Sequence, residues 1–336
     1  MKILYARRPS RGWDSVTLMA QLAAELLEAE LIVLDGDKRI SKATHLASLA
    51  PRRRGSEACL VIAPDPRDLW AIVRLEHWLH GYGYVVAWII DAFWDDRIPF
   101  AARKRGHFDH LFVTEQEVVD SWRAITGTPT SWLPFGSNVL DMGSDASDRP
   151  VDLQRFGRMP NTWDDDEAAR ASCAAAGLRF EGRPTYLPAA LANQRAAMAQ
   201  FARAKFTLCF TNRVSPASYT HPTREYLTGR WTDALASGAT VAGVPPDCGS
   251  AHELLWPEAT LDLGTVDRAE GISRVQKAVV EWHPALARLN HLRALERLDW
   301  RWRLREVATT MGISSPRLDV EFARLRDAID AIRSSG

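Results

Sequence analysis

The fold is decided by residues 2–35, which read KILYARRPSRGWDSVTLMAQLAAELLEAELIVLD. Two short apolar runs, KILYA (2–6) and LIVLD (31–35), flank a segment over 15–28 whose apolar residues recur at helical spacing. An apolar run, a helix and a second apolar run are typical of a βαβ unit, whose two strands lie parallel and buried. The stretch therefore predicts a parallel sheet covered by helices.

The same alternation continues along the chain in two series, separated by residues 136–150, which have the composition of a turn or linker. In the first series the pattern predicts further strands at 59–63, 84–90 and 110–114 and helices at 67–79 and 115–125. In the second it predicts strands at 151–156, 206–210, 239–243 and 261–263 and helices at 164–176, 189–204 and 223–237. From Val266 onward the pattern is almost wholly helical, most clearly over 285–311 and 318–334.

The two series predict an N-terminal Rossmann-like domain over 1–140 and a second over 150–310. A C-terminal helix over 311–336 is predicted to pack back on the first domain.

Composition narrows the classes of function. The 336 residues contain 42 Lys+Arg and 42 Asp+Glu, for a net charge of +0, so no overall field attracts nucleic acid and any anion site is local. The four cysteines form no C-x-x-C pair, and three of them lie in apolar or small-residue surroundings, as buried free thiols do, which predicts a reducing compartment: Cys59, Cys173, Cys209 and Cys248. Because no apolar run is long enough for a secretion signal or a membrane span, we predict a cytoplasmic protein without a transmembrane segment.

The most informative segment, at 221–255, reads HPTREYLTGRWTDALASGATVAGVPPDCGSAHELL. Its proline near the start and the glycine at 238 suit the two ends of a helix, which predicts the helix over 223–237. Glu225 and Asp233 would lie two turns apart on that helix, where one ligand reaches both. The residues alone leave open a second interpretation, a solvated acidic face on which Arg230 pairs with Asp233 at i,i+3.

Glu225-x7-Asp233, followed by Ala-Leu-Ala-Ser-Gly, resembles the Glu-x7-Glu signature of retaining family 4 glycosyltransferases. Thr228-x-Arg230-x-x-Asp233 is similar to the Thr-x-Arg-x-x-Glu pattern of the spore-maturation-protein-like glycosyltransferases. The turn Phe156-Gly157-Arg158 resembles their Gly-Arg turn, which contacts donor phosphate. The chain departs from these families in two ways: Asp replaces the second Glu, and no Lys-Gly follows the Gly-Arg turn.

The resemblance implies a GT-B fold, with two Rossmann-like domains facing across a cleft and C-terminal helices crossing back. It implies a hexosyltransferase-type enzyme that transfers a sugar, with retention, from a UDP- or GDP-sugar to an unknown acceptor, without a metal or a cofactor. Glu225 would contact the donor sugar and Asp233 the ribose. The diphosphate would be bound by Arg158, by the amides of the helix start at Thr223 and by a second cation. For this cation Arg230 is favoured over Lys205, His221 and Arg224.

Two residues of the N-terminal half complete the expected site. Gly12, in the loop after the first strand, stands where such enzymes have a donor-facing glycine, and glycine allows close backbone approach. Asp91 follows the fourth strand, where family 4 enzymes often have a His. The resemblance suggests that Asp91 orients or deprotonates the acceptor, while its residue type equally suits a turn or a helix cap.

Other classes of enzyme and site remain as alternatives. Asp35-Gly-Asp37 has the Asp-x-Asp form of metal-dependent GT-A transferases, although a GT-A chain does not explain two α/β series. A GT-B nucleotide-sugar epimerase, or a catalytically silent scaffold of the same fold, would share the pattern. His77 and His80 share a helix face, but no carboxylate or cysteine ligand set that would complete a metal site is evident near them.

Overall fold

The computed structural model describes residues 1–9, 12–36 and 41–334. Over these residues the chain divides into two compact units. Unit 1 comprises residues 1–134 and 303–322, and unit 2 comprises residues 135–302 and those from 323 to the end of the described chain. None of the described helices is both long and apolar enough to cross a membrane.

Unit 1 contains a sheet of parallel strands in the order β2-β1-β3-β4-β5-β6. The strands are β1 (Lys2–Arg7), β2 (Glu30–Asp35), β3 (Ala58–Ala63), β4 (Tyr84–Ile89), β5 (His110–Val113) and β6 (Thr130–Trp132). The α-helices between them are α1 (Asp14–Leu26), α2 (Lys42–Ala47), α3 (Leu75–His80) and α4 (Val119–Thr126). Short 3-10 helices add Pro66–Val73, Asp95–Arg97, Phe100–Ala102 and Gln116–Val118.

The core of unit 1 lies along its central strands. Val61 of β3 and Val85, Ala87 and Ile89 of β4 are fully buried. Each fully buried Val or Ile stabilises the fold by about 1.5–3 kcal/mol. Because helices cover both faces of a parallel sheet, the strands appear in the sequence as continuous apolar runs rather than as alternating ones.

Unit 2 contains a second parallel sheet in the order β11-β10-β9-β7-β8. Its strands are β7 (Val151–Arg155), β8 (Phe180–Glu181), β9 (Ala204–Leu208), β10 (Thr240–Gly243) and β11 (Thr260–Asp262). The helices that follow α4 along the chain are α5 (Val139–Met142), α6 (Asp166–Ala175), α7 (Ala190–Arg203), α8 (Gly229–Ala236), α9 (Gly249–Leu254), α10 (Arg268–Glu281), α11 (Pro284–Arg297), α12 (Trp300–Met311) and α13 (Pro316–Ser334). Short 3-10 helices add Asn161–Trp163 and Pro257–Ala259.

The predicted class, two α/β units with parallel Rossmann-like sheets, is confirmed. Their facing across a cleft, and the division of acceptor and donor between 1–140 and 150–310, stay predictions. The helical character predicted over 285–311 is confirmed, and the stretch forms two helices, because the chain breaks between α11 and α12. There, Asp299 accepts hydrogen bonds from Leu140 N (2.8 Å) and Arg301 N (2.9 Å), and Ser137 N donates to Leu298 O (2.9 Å).

Candidate functional site

Each sheet has one place where the chain reverses its direction of winding. In unit 2 the chain leaves β7 for β8 at the edge and returns to the other side of β7 as β9. The loops that follow β7 and β9 therefore lie at the switch point of the sheet, where the open α/β sheets of other proteins form a crevice. Ligands of open α/β sheets bind at this kind of crevice. The candidate donor site consists of the loops over 156–158 and 209–228.

The turn after β7 is built around Gly157. Its φ of +75° lies in the left-handed region that glycine tolerates best. A Cβ there would lie 2.7 Å from Cδ of Arg230, closer than real side chains approach. Glycine at 157 therefore lets the backbone turn sharply and lets Arg230 of α8 pack directly on the turn.

Arg230 fixes this turn by its own hydrogen bonds. Its Nη1 donates to Phe156 O (3.1 Å) and Arg158 O (3.0 Å). Burial lowers the pKa of Arg230, yet arginine stays charged in proteins. The i,i+3 spacing suggested that Arg230 pairs with Asp233. This is wrong, because the Arg230 guanidinium donates to the two carbonyls of the turn instead.

Arg158 carries the second positive charge of the turn. Its Nε donates to Ser215 Oγ (3.1 Å) in the loop after β9, and its guanidinium carbon lies 5.5 Å from the centre of the exposed Tyr219 ring. Among the described residues, neither of its Nη atoms has a hydrogen-bond partner. Arg158 thus joins the two loops through Nε and keeps two donors for an anion.

The predicted helix over 223–237 begins only at Gly229, so residues 221–228 form an irregular segment. The reason lies in two side chains of the preceding loop. Asn212 Nδ2 donates to both His221 O and Arg224 O (2.9 Å each), and Arg213 Nη1 donates to Thr223 O (3.1 Å). These bonds occupy carbonyls that a helix would use for its own i→i+4 hydrogen bonds.

Within the same segment, hydrogen bonds already occupy the backbone amides that the resemblance assigned to phosphate binding. His221 Nδ1 accepts hydrogen bonds from Thr223 N (3.2 Å) and Arg224 N (2.9 Å). The idea that a helix start at Thr223 presents free amides to the diphosphate is therefore wrong.

Glu225 lies in this irregular segment, at the far end of a chain of hydrogen bonds. Thr211 Oγ1 donates to its Oε1, and Asp247 N donates to its Oε2 (3.4 Å). Thr211 O in turn accepts from Ser215 N (3.1 Å), and Ser215 Oγ accepts from Arg158. The structure thus connects Glu225 with Arg158 through Thr211 and Ser215, two residues that the sequence analysis did not select.

Asp233 lies apart from this chain of bonds. Only 7% of it is exposed, and its two oxygens accept from Ser137 Oγ (2.6 Å) and Gln194 Nε2 (2.9 Å). Burial raises the pKa of Asp233 to about 6 against the opposing effect of these two bonds. Through these bonds, both carboxylate oxygens hold α8 against the segments that carry Ser137 and Gln194.

We expect Asn212→Ala to destabilise unit 2 and release the 221–225 segment. The variant loses two hydrogen bonds to backbone carbonyls, each worth about 0.5–1.5 kcal/mol. Urea denaturation should show a lower unfolding free energy, and limited proteolysis should cut near 221–225. Asn161→Ala, at an exposed asparagine of the same unit, is the control. Unchanged proteolysis in Asn212→Ala would contradict the proposed support.

In unit 1, Asp91 follows β4 next to Asp65, which follows β3. Asp91 N donates to Pro64 O (2.9 Å), so the two loops adjoin. The Asp91 carboxyl has no hydrogen-bond partner among the described residues. Burial, and then the charge of Asp65, raise the pKa of Asp91 to about 8. This group therefore takes up and releases a proton near neutral pH.

Arginine side chains keep the carboxylate of Asp65, beside Asp91, ionised. Arg67 donates to Asp65 through N (2.9 Å), Nε (2.8 Å) and Nη2 (2.9 Å), and Arg97 Nη1 lies 3.5 Å from it. Burial alone would raise the pKa of Asp65, but the bonds from Arg67 outweigh it and lower the pKa. Asp65 thus places a fixed negative charge next to Asp91.

The remaining predicted residues occupy separate places. Gly12 is exposed with φ +104°, and nothing lies within 4 Å of where its Cβ would be. His77 Nδ1 lies 3.2 Å from Tyr82 Oη, and His80 Nε2 lies 2.9 Å from Glu57. Asp35 ends β2, and Asp37 lies outside the described residues. Across the described residues, no three His, Cys, Asp or Glu side chains form a group that could hold a metal ion.

No protein-family model and no curated protein matches the chain. Similar solved structures include a UDP-forming α,α-trehalose-phosphate synthase from Burkholderia xenovorans, at 9% identity and TM-score 0.47, covering 97% of this chain and 99% of that one. The T4 phage β-glucosyltransferase has 10% identity and TM-score 0.44, covering 97% and 99%. A spinosyn rhamnosyltransferase complexed with spinosyn aglycone has 13% identity and TM-score 0.45, covering 93% and 100%.

Proposed function

We propose that the protein is a glycosyltransferase whose unit 2 binds a nucleoside-diphosphate sugar. The observation that carries the proposal is the chain of hydrogen bonds from Arg158 through Ser215 and Thr211 to Glu225. It links a cation with two available donors to an acidic side chain, at the crevice where open α/β sheets bind ligands. A diphosphate needs the cation, and sugar hydroxyls need an acceptor such as a carboxylate.

In this proposal Arg158 binds the diphosphate directly. Arg230 fixes the Gly157 turn and adds a second positive charge behind it. Glu225 accepts hydrogen bonds from the donor sugar. Asp233 supports α8 and does not contact the ribose, because it is only 7% exposed and already accepts hydrogen bonds from Ser137 and Gln194.

The proposed reaction joins an acceptor hydroxyl oxygen to the anomeric carbon while the bond from that carbon to the diphosphate breaks. Negative charge grows on the leaving diphosphate, where a fixed guanidinium stabilises it. Unit 1 binds the acceptor in this proposal, and Asp91 orients the hydroxyl or takes its proton. We propose retention of configuration and independence from metal on the strength of the Glu-x7-Asp resemblance.

The test is to incubate the protein with UDP- and GDP-sugars and identify the products. Slow release of free sugar and nucleoside diphosphate without an acceptor supports a transferase. Interconversion of the sugar would instead indicate an epimerase. Neither product, together with no nucleotide binding, would indicate a catalytically silent scaffold.

We expect Glu225→Gln to weaken binding of the nucleotide sugar but to leave binding of the free nucleoside diphosphate nearly intact. Gln is the same size, and the Thr211 hydroxyl can accept from its amide while Asp247 N still donates to its oxygen. The loss of a charged acceptor should cost roughly tenfold in affinity for the sugar nucleotide. Calorimetry with UDP-sugar and UDP measures both, and equal losses for the two ligands would refute the assignment to the sugar.

A further inference from the structure

We propose that His221 is a positioning residue that holds the 221–225 segment in place only as a neutral imidazole, so that its protonation loosens the donor site. This inference rests on the proposed function, because it assigns the purpose of the segment that carries Glu225. It reverses the role that the sequence suggested for His221, a cation that binds phosphate.

The observation is the pair of amides that point at one ring nitrogen. Thr223 N and Arg224 N donate to Nδ1 at 3.2 and 2.9 Å, with Thr223 Oγ1 at 3.4 Å. A ring nitrogen accepts a hydrogen bond only when it carries no proton. The imidazole is therefore neutral in this arrangement, with its proton on Nε2.

The backbone explains why a single acceptor can organise this turn. Pro222 has no N–H, so the amides of the two following residues are the first that the turn must satisfy. His221 satisfies both, while Asn212 and Arg213 satisfy the carbonyls of the same turn. The residue that follows is Glu225, and its position depends on this turn.

Protonation would replace an acceptor by a donor that faces two N–H groups. The charged groups beside the turn add to this effect. Arg213 donates to Thr223 O, Arg224 belongs to the turn itself, and the Glu225 carboxylate accepts from Thr211 and from the amide of Asp247. A new positive charge at His221 thus arises in the turn that the Arg213 guanidinium already contacts, while the Glu225 carboxylate is engaged elsewhere.

The proposal predicts the sign of the pH dependence. A histidine that bound phosphate as a cation would tighten nucleotide binding as the pH falls through about 6.5, the usual pKa of histidine. A histidine that must be neutral to hold the turn would weaken binding over the same range.

Two variants separate these roles. In His221→Asn, the side-chain oxygen can accept from amides two and three residues ahead but does not titrate. His221→Ala has no acceptor. We expect His221→Ala to bind UDP-sugar roughly tenfold more weakly at pH 8, since it loses two hydrogen bonds. His221→Asn should restore that affinity and remove the loss at acidic pH.

The experiment combines calorimetry at several pH values with hydrogen exchange of the Thr223 and Arg224 amides in the free protein. Wild type should lose protection of both amides, relative to their intrinsic rates, as His221 protonates. His221→Asn should keep it. Because this readout needs no nucleotide, it tests the turn even if the proposed function fails. Tighter UDP-sugar binding at acidic pH in wild type, or amide protection that does not change with pH, would overturn the proposal.

Discussion

Replacing Asp91 with Asn is expected to lower glycosyl transfer by about 10²–10⁴-fold, the usual contribution of a proton-transferring side chain. Asn has the same shape but cannot accept the acceptor proton. In the proposed mechanism the ionised carboxylate is the active form, so turnover should rise with pH until the pKa of Asp91, about 8, is passed. The variant should lose this rise. Initial rates across pH measure both effects.

The stability of the same variant provides an independent control on Asp91. Because burial raises its pKa in the folded protein, ionisation opposes folding. That cost is absent below about pH 4, the usual pKa of Asp, and complete above the folded pKa of about 8. Asp91→Asn should therefore be more stable than wild type at pH 9 but not at pH 4. Asp96→Asn, at an exposed neighbouring site, should change neither rate nor stability. Full activity in Asp91→Asn would remove this residue from the mechanism.

Replacing Arg158 with Ala is expected to weaken nucleoside diphosphate binding by about 10- to 150-fold, because a hydrogen bond to a charged group contributes about 1.5–3 kcal/mol. The variant also loses the Ser215 contact, so part of the effect reflects a looser junction between the two loops. Ser215→Ala removes only that contact and keeps the charge. We therefore expect a smaller loss in Ser215→Ala when both are measured by calorimetry.

Arg170→Ala is the matched control, since Arg170 is an exposed arginine of α6 on the same unit. Its removal changes net charge by the same amount as Arg158→Ala. If both arginine variants weaken UDP binding equally, the loss reflects the change in net charge and not a specific contact. In that case the Gly157 turn is not the anion site.

The strands were predictable because burial on both faces produces runs such as YVVAWI in β4. Strand β8 was not predictable, since Phe180–Glu181 is too short to form a pattern. The Gly157-Arg158 turn resembles a family motif, and Arg230 of α8 donates hydrogen bonds to the carbonyls of this turn. Its role in donor binding stays a prediction.

The predictions that were wrong concern places where side chains distant in sequence form hydrogen bonds with the backbone or with a carboxylate. Asn212 lies nine residues before His221, and its bonds prevent a helix that the local pattern favours. The Asp233 carboxylate accepts hydrogen bonds from Ser137 and Gln194, which lie 96 and 39 residues away in sequence. No periodicity in the sequence reports such contacts. The Thr-Asn pair at 211–212, shortly after β9 ends at Leu208, is a local signal of a site at the end of a buried strand.

The most direct test of the central claim, that unit 2 binds nucleoside-diphosphate sugars, is a thermal-shift panel of UDP-, GDP- and dTDP-sugars on the wild-type protein. A ligand at a hundred times its dissociation constant adds about 2.7 kcal/mol to the free energy of unfolding. We expect a clear rise in melting temperature with at least one nucleotide sugar, and a smaller rise with the same ligand in Arg158→Ala. No rise with any member of the panel, or an equal rise in Arg158→Ala, would contradict it.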